Sequence, residues 1–125
     1  MNLNVLIVDD SPVMRKIVLR VLRMSGLSIE TVHEASSGEE AWTILEREDG
    51  INLGLFDVNM PGMNGEELTT RIRNNDTFKD LPIVIVSTEG SAERRRRFDL
   101  LGVGFLHKPF EPETLVETIA QVIGG

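Results

Sequence analysis

Cysteine is absent from this chain, which excludes disulfide cross-links and thiolate metal sites. Long apolar runs are absent too. None approaches the length needed to span a bilayer, so no membrane association is expected. No basic segment precedes an apolar one at the N-terminus, so no secretory signal is expected and the cytoplasm is the default compartment. Positive charge is scarce. Lys and Arg number 13 against 20 Asp and Glu, a net charge of -7. That balance argues against direct binding of nucleic acid, whose phosphates need a basic footprint, and is compatible with binding a cation. There is no low-complexity tract, linker or charged tail. What is there is 125 residues, 41% hydrophobic and 26% charged, a soluble globular composition long enough for one domain over residues 1–125 with one proper core.

Short apolar runs alternate with helical periodicity about five times. Val5-Leu-Ile-Val8 is continuously apolar, as a strand buried on both faces would be, and it stops at Asp9-Asp10. Ser11-Pro12 reads as N-cap and first helical residue. Val13, Ile17 and Val21, with Met14, Val18 and Leu22, then make a wide inward helical face that ends at Gly26. Ile29 to Ala35 reads as a more exposed strand, and its His33 as a surface imidazole. Ser37-Gly-Glu-Glu40 reads as a capping box ahead of a helix through Trp42 and Leu45. Leu53 to Phe56 is the third strand, ending at Asp57. A loop with Pro61, Gly62 and Gly65 follows, then a helix opened by Asn64 and Glu67, with Glu67 and Arg71 expected to pair at i,i+4. Leu81 to Val86 is the fourth strand, ending at Ser87-Thr88. Ser91 caps a helix through Phe98, Leu100 and Leu101. Val103 to Leu106 is the fifth strand, ending at His107-Lys108-Pro109, and Pro112 opens the last helix.

Right-handed crossovers put helices on both faces of a parallel sheet, and so few strands favour an open doubly wound sheet over a closed barrel. In such a sheet the carboxyl ends of the strands share one edge, where ligands bind. Asp9, Asp10, Asp57, Ser87 and Lys108 all fall there. Three carboxylates about 4 Å apart repel by roughly 4 kcal/mol per pair at an effective dielectric of ~20, so some are protonated or a cation joins them. Oxygen-only ligands favour Mg²⁺ over Ca²⁺, with Mn²⁺ able to substitute. Lys108 would repel such a cation, unless an anion sits between them. A phosphoryl group on Asp57 is such an anion, with Ser87 donating to another of its oxygens. The alternative is a structural acid cluster with Lys108 as its ion-pair partner.

At Val8-Asp9-Asp10-Ser11, Asp57-Val-Asn-Met-Pro-Gly-Met-Asn-Gly65, Val86-Ser87 and Lys108-Pro109-Phe110 the chain resembles the receiver domain of bacterial two-component response regulators, above all the stand-alone chemotaxis type. The resemblance covers the whole chain. It implies a flavodoxin-like, five-stranded parallel sheet of order 2-1-3-4-5 flanked by five helices. It also implies that Asp57 takes a phosphoryl group from a phosphohistidine of a sensor kinase, and that the domain catalyses its own phosphorylation and dephosphorylation without being an enzyme in the turnover sense. Mg²⁺ would be held by Asp10 and Asp57, by the Asn59 backbone carbonyl, and by Asp9 through water. Lys108 and Ser87 would bind phosphoryl oxygens. Asn59, Thr88 and Glu89 flank the site at positions that tune hydrolysis. Ser87 and Phe105 form the switch pair, with phenylalanine where many relatives have tyrosine. The fourth helix, fifth strand and fifth helix form the signalling face. Arg94, Arg95, Arg96 and Arg97, together with Val116, Ala120 and Ile123, are the candidate contacts there for an acidic partner or a second copy, as monomer or phosphorylation-dependent dimer. A solvated face is the competing reading of the arginines. So many in a row sweep most of the helix circumference, so that helix is expected to be loosely covered.

A receiver excised from a longer regulator fits the same residues. A haloacid dehalogenase-type phosphatase would instead carry its nucleophile as the first acid of an Asp-x-Asp motif at the end of the first strand. A flavodoxin-like flavin protein would not place acidic Asp9-Asp10 against a cofactor phosphate.

Overall fold

Strand and helix alternate from end to end in the computed structural model, which describes residues 2–88 and 90–124. The order is β1 (Leu3–Val8), α1 (Pro12–Met24), β2 (Ile29–Ala35), α2 (Gly38–Arg47), β3 (Leu53–Asp57), α3 (Gly65–Arg73), β4 (Ile83–Ser87), α4 (Ala92–Leu100), β5 (Gly104–His107) and α5 (Pro112–Gly124). All pairings are parallel and the sheet order is β2-β1-β3-β4-β5, so the strand order reverses between β1 and β3. Among the described residues no helix is long and apolar enough to cross a membrane.

Alternation along each strand divides the apolar side chains between two layers. Leu6, Val8, Phe56, Ile83 and Ile85 face α2, α3 and α4 and meet Trp42, Leu68, Ile72 and Phe98. Val5, Ile7, Leu55, Val84 and Val86 face α1 and α5 and meet Val18, Leu22, Leu115 and Ile119. That is why β1, β3 and β4 read as unbroken apolar runs, while β2, at the sheet edge, exposes Glu30, Thr31 and Glu34.

The structure corrects several helical details. The apolar arc of α1 is about 180° wide by its 100° steps, and the sheet takes only the half centred on Val18 and Leu22. Val13 (66% exposed), Ile17 (46%) and Met24 (69%) form an outward stripe instead of an inward face. At α2 only half of the expected box closes. The Ser37 hydroxyl accepts from Glu40 N, but Glu40 Oε1 accepts from Ser36 N, one residue further back. At α3 the box is complete, with Asn64 and Glu67 satisfying each other's backbone N–H groups. Glu67 is thereby turned toward the helix start. Arg71 lies over the Trp42 ring, 4.1 Å from its centroid, instead of pairing with Glu67. Strands β4 and β5 begin later and end later than expected, taking in Ser87 and His107.

Helix α4 is held lightly. Phe98 is its one buried side chain among the described residues, worth about 2–3 kcal/mol. Its remaining ties are polar. Arg97 makes a two-pronged pair with Glu66 of α3 (2.7 and 3.2 Å), Arg94 stands 4.0 Å from the same carboxylate, and Leu100 is exposed. At the end of the sheet remote from the strand carboxyl ends, Arg73 closes α3. It donates to the carbonyls of Leu101 (2.7 Å), Leu81 (2.8 Å) and Lys79 (3.1 Å), clamping the turn after α4 to the segment before β4.

Candidate functional site

Backbone pairing carries four separate strand ends to one edge. The Asp9 N–H donates to the Ala35 carbonyl (3.1 Å), extending the β1–β2 ladder one step beyond Val8. Asp57 ends β3 in register with Val86, and Ser87 ends β4 in register with His107. The Lys108 N–H then donates to the Ser87 carbonyl (2.8 Å), which seats Lys108 beside the neighbouring strand ends. Its Nζ stands 3.3 Å from Asp9 Oδ2 and 3.3 Å from Asp57 Oδ1. Carboxylate oxygens of Asp9, Asp10 and Asp57 lie within 4.8 Å of one another. Asp9, Asp57 and Ser87 are buried and Asp10 is exposed, so the acids form a small cup with one open side. The peptide joining Lys108 to Pro109 is cis.

Electrostatics make this cup uncomfortable when it holds only protein. Burial pushes the Asp57 carboxyl above its ordinary value, Asp9 pushes it further, and the charge and hydrogen bond of Lys108 oppose both. A single ammonium therefore does not balance the acids. Three hard oxygen donors a few ångströms apart, half enclosed and under-neutralised, suit a small oxygen-seeking dication, and the residues present fit Mg²⁺.

The loop beyond β3 is folded back onto Asp57. The Gly65 N–H donates to the Val58 carbonyl (3.1 Å), and a Cβ on Gly65 would overlap the Asp57 carbonyl oxygen. Only glycine lets α3 begin so close to the end of β3. Met60 is buried beneath the loop, and Gly62 turns it with φ +73°. Asn59 is exposed above it.

The other expected positions scatter. Thr88 is exposed and shares an apolar groove with Ile17, Val21, Lys108 and Phe110. Glu89 lies outside the described residues. Phe105 is half-buried, its ring 6.1 Å from that of Phe98, and the Arg95 guanidinium covers it at 4.6 Å. Arg96 is exposed. Val116, Ala120 and Ile123 line a shallow cleft with Leu3, Leu27 and Ser28, on the α1 side of α5, so their contacts do not join those of the arginines. Arg15 and Glu66 escaped the sequence reading. Each is one charge among many, and its partner lies 19 or 31 residues away, so no local pattern marks it.

A sequence model of the response regulator receiver domain matches residues 5–120. The Chemotaxis protein CheY homolog of Campylobacter jejuni is 37% identical over 123 residues, covering 98% of this chain and 93% of that protein. Among solved structures, CheY4 of Vibrio cholerae superposes with a TM-score of 0.83 at 35% identity, covering 98% of this chain and 99% of that one. The CheX-CheY-BeF3-Mg complex from Borrelia burgdorferi matches with a TM-score of 0.83 at 26% identity, over 97% of this chain and 89% of that one. With the fold, the strand-end acids and these likenesses in agreement, the chain belongs to the response regulator receiver domain family, among CheY-like chemotaxis homologues.

Proposed function

We propose that this chain is a phosphorylation-controlled binding switch, one receiver domain over residues 1–125 whose effect is exerted through another protein. The observation that carries the reading is Lys108 Nζ at 3.3 Å from both Asp9 and Asp57, where three carboxylates meet. An Asp57 oxygen attacks the phosphorus of a phosphohistidine on a sensor histidine kinase. The O–P bond forms as the N–P bond breaks, and the imidazole leaves with the electron pair. Lys108 holds one oxygen of the transferred group and Ser87 donates to another. Asp10, Asp57 and the Asn59 backbone carbonyl would hold Mg²⁺ or Mn²⁺, with Asp9 acting through water. When bound, the ion neutralises charge on the phosphoryl oxygens, which suits a loose transition state in which positioning and electrostatics do most of the work. Asn59, Thr88 and Glu89 are the positions that tune the later hydrolysis of the acyl phosphate. The protein is a phosphoacceptor that catalyses its own phosphorylation and dephosphorylation, not an enzyme acting on a pool of substrate.

Phosphoryl capture draws the Ser87 hydroxyl toward Asp57, and Phe105 follows by packing alone, since phenylalanine has no hydroxyl to bond. The output is read from the α4-β5-α5 face by a downstream protein, as monomer or phosphorylation-dependent dimer. Chemotaxis is the setting its relatives' names supply, and the cytoplasm is the compartment of such a signal. The apolar groove between α1 and Phe110, beside Lys108, supports a protein as the phosphoryl donor. Incubation with acetyl phosphate and Mg²⁺, read by intact mass, tests the reading. Wild type gains one phosphoryl group, whereas Asp57→Asn and chelator-treated samples gain none. No gain in the wild type overturns the proposal, and sustained turnover of a phosphate monoester would move the protein to the phosphatase class.

A further inference from the structure

Arg15 lies one turn into α1, with its side chain 16% exposed. Its Nη1 donates to the backbone carbonyl of Asp9 (2.7 Å) and its Nε to Glu34 Oε1 on β2 (3.1 Å). The Asp9 residue is therefore gripped from two sides, its N–H by Ala35 (3.1 Å) and its C=O by Arg15. That carbonyl belongs to the peptide joining Asp9 to Asp10. Because the peptide is planar, fixing its oxygen fixes the direction in which the Asp10 backbone leaves it. Asp9 has two further ties, Ser11 N–H on Oδ1 (2.9 Å) and Lys108 on Oδ2 (3.3 Å). Asp10 is exposed, so its approach to the other acids is set mainly by the backbone beneath it.

We infer that Arg15, locked by Glu34, is a positioning residue of the cation site, holding the Asp9–Asp10 peptide where both carboxylates can serve one ion. The inference rests on the Mg²⁺ reading above. It has a sign that charge alone cannot reproduce. A guanidinium near three carboxylates opposes a dication, so removing it should tighten metal binding if Arg15 acted only through its field. If Arg15 acts by aiming ligands, removing it should weaken binding. Outer partners that aim metal ligands typically change affinity by about 10- to 100-fold when lost. Glu34 serves twice here. It fixes the guanidinium plane, and it offsets a charge the ion would otherwise meet.

Mn²⁺ is the probe, followed by calorimetry and by the paramagnetic resonance of the free ion, with Mg²⁺ in competition. Arg15→Gln is expected to bind Mn²⁺ about tenfold more weakly than wild type, and the deficit should persist in about 1 M salt, where the screening length is ~3 Å. Arg15→Lys keeps the charge but not the two-pronged fork, so it should lose affinity as well. Glu34→Gln should fall between wild type and Arg15→Gln. Acetyl phosphate labelling of each variant should show a raised Mg²⁺ requirement with a near-normal rate at saturating Mg²⁺. Equal or tighter Mn²⁺ binding by Arg15→Gln, or wild-type affinity in Arg15→Lys, overturns the inference while leaving the cation site intact. Failure of the wild type to bind Mn²⁺ overturns the cation site itself, and this inference with it. Far-UV circular dichroism guards against misfolding of Arg15→Gln, and Arg15→Lys remains decisive in that event.

Discussion

The carboxyl of Asp57 is the residue on which the folded state spends stability. Its affinity for a proton is raised by burial first and by Asp9 second. An acid bound more tightly by protons in the folded state helps folding fully below its unfolded value, near 4, and loses that help as pH rises through the raised value. At neutral pH without metal, ionised Asp57 is therefore a burden. Asp57→Asn is expected to raise the melting temperature at pH 7 in chelator by about 4 °C, corresponding to roughly 1 kcal/mol. The gain should shrink to nothing as pH falls into the range where Asp57 is protonated. A melting series from pH 7 to acid, with wild type and variant side by side, checks both the direction and the convergence. At this scale much of the site was legible. Asp9, Asp57, Ser87 and Lys108 each end an apolar run, and a strand end in a parallel sheet is a place as well as a pattern. Arg15 was not legible, because its importance lies in a carbonyl and in Glu34, neither of which its neighbours in sequence reveal.

Among the elements, α1 departed furthest from what periodicity implies, whereas α4 is as loosely covered as its arginine run led one to expect. Periodicity reports which residues share a helix face, but not how much of that face the sheet will cover. The outward stripe of α1 follows from a sheet that needs only Val18 and Leu22 and their half-buried neighbours. The arginine run of α4 likewise resolves into different environments. Arg94 and Arg97 turn to Glu66, Arg95 lies over Phe105, and Arg96 is exposed. Arg97 holds the Glu66 carboxyl below the usual carboxylate range, chiefly through its hydrogen bond. The contribution of this pair is present above the ordinary carboxylate value and fades as pH falls through the lowered one. With one buried anchor, α4 should loosen when the pair is cut. In Arg97→Gln, amide hydrogen exchange is expected to quicken across α4 several-fold and to leave β1, β3 and β4 unchanged, an effect that high salt should mimic in the wild type. Uniform quickening across all elements would mean that the pair supports the whole fold, not the seating of one helix.

For the molecule as a whole, the contacts that complete the sheet are also those that bring the candidate ion ligands together. The ends of β1 and β3 must lie side by side before the acids meet, and the unfolded chain has no such cup. An ion that binds only the folded state adds stability by mass action, about 2.7 kcal/mol at a concentration one hundred times its dissociation constant. Mg²⁺ should therefore raise the melting temperature of the wild type by roughly 10 °C at that excess, and by far less in Asp10→Asn. Titration of the melting temperature with Mg²⁺ in both proteins checks this, and equal shifts would place the ion elsewhere. The fold was readable at this scale because alternation of strand and helix admits few topologies. The strand order needed the family resemblance, since the runs themselves do not say which neighbours pair.

The clamp made by Arg73 has a mechanical consequence. It grips the Leu101 carbonyl, at the foot of α4, and ties it to the segment before β4. A rod fastened at its base moves like a pendulum. Displacement of α4 is therefore expected to grow from Leu101 toward Ser91 and to be greatest at the end nearest Thr88.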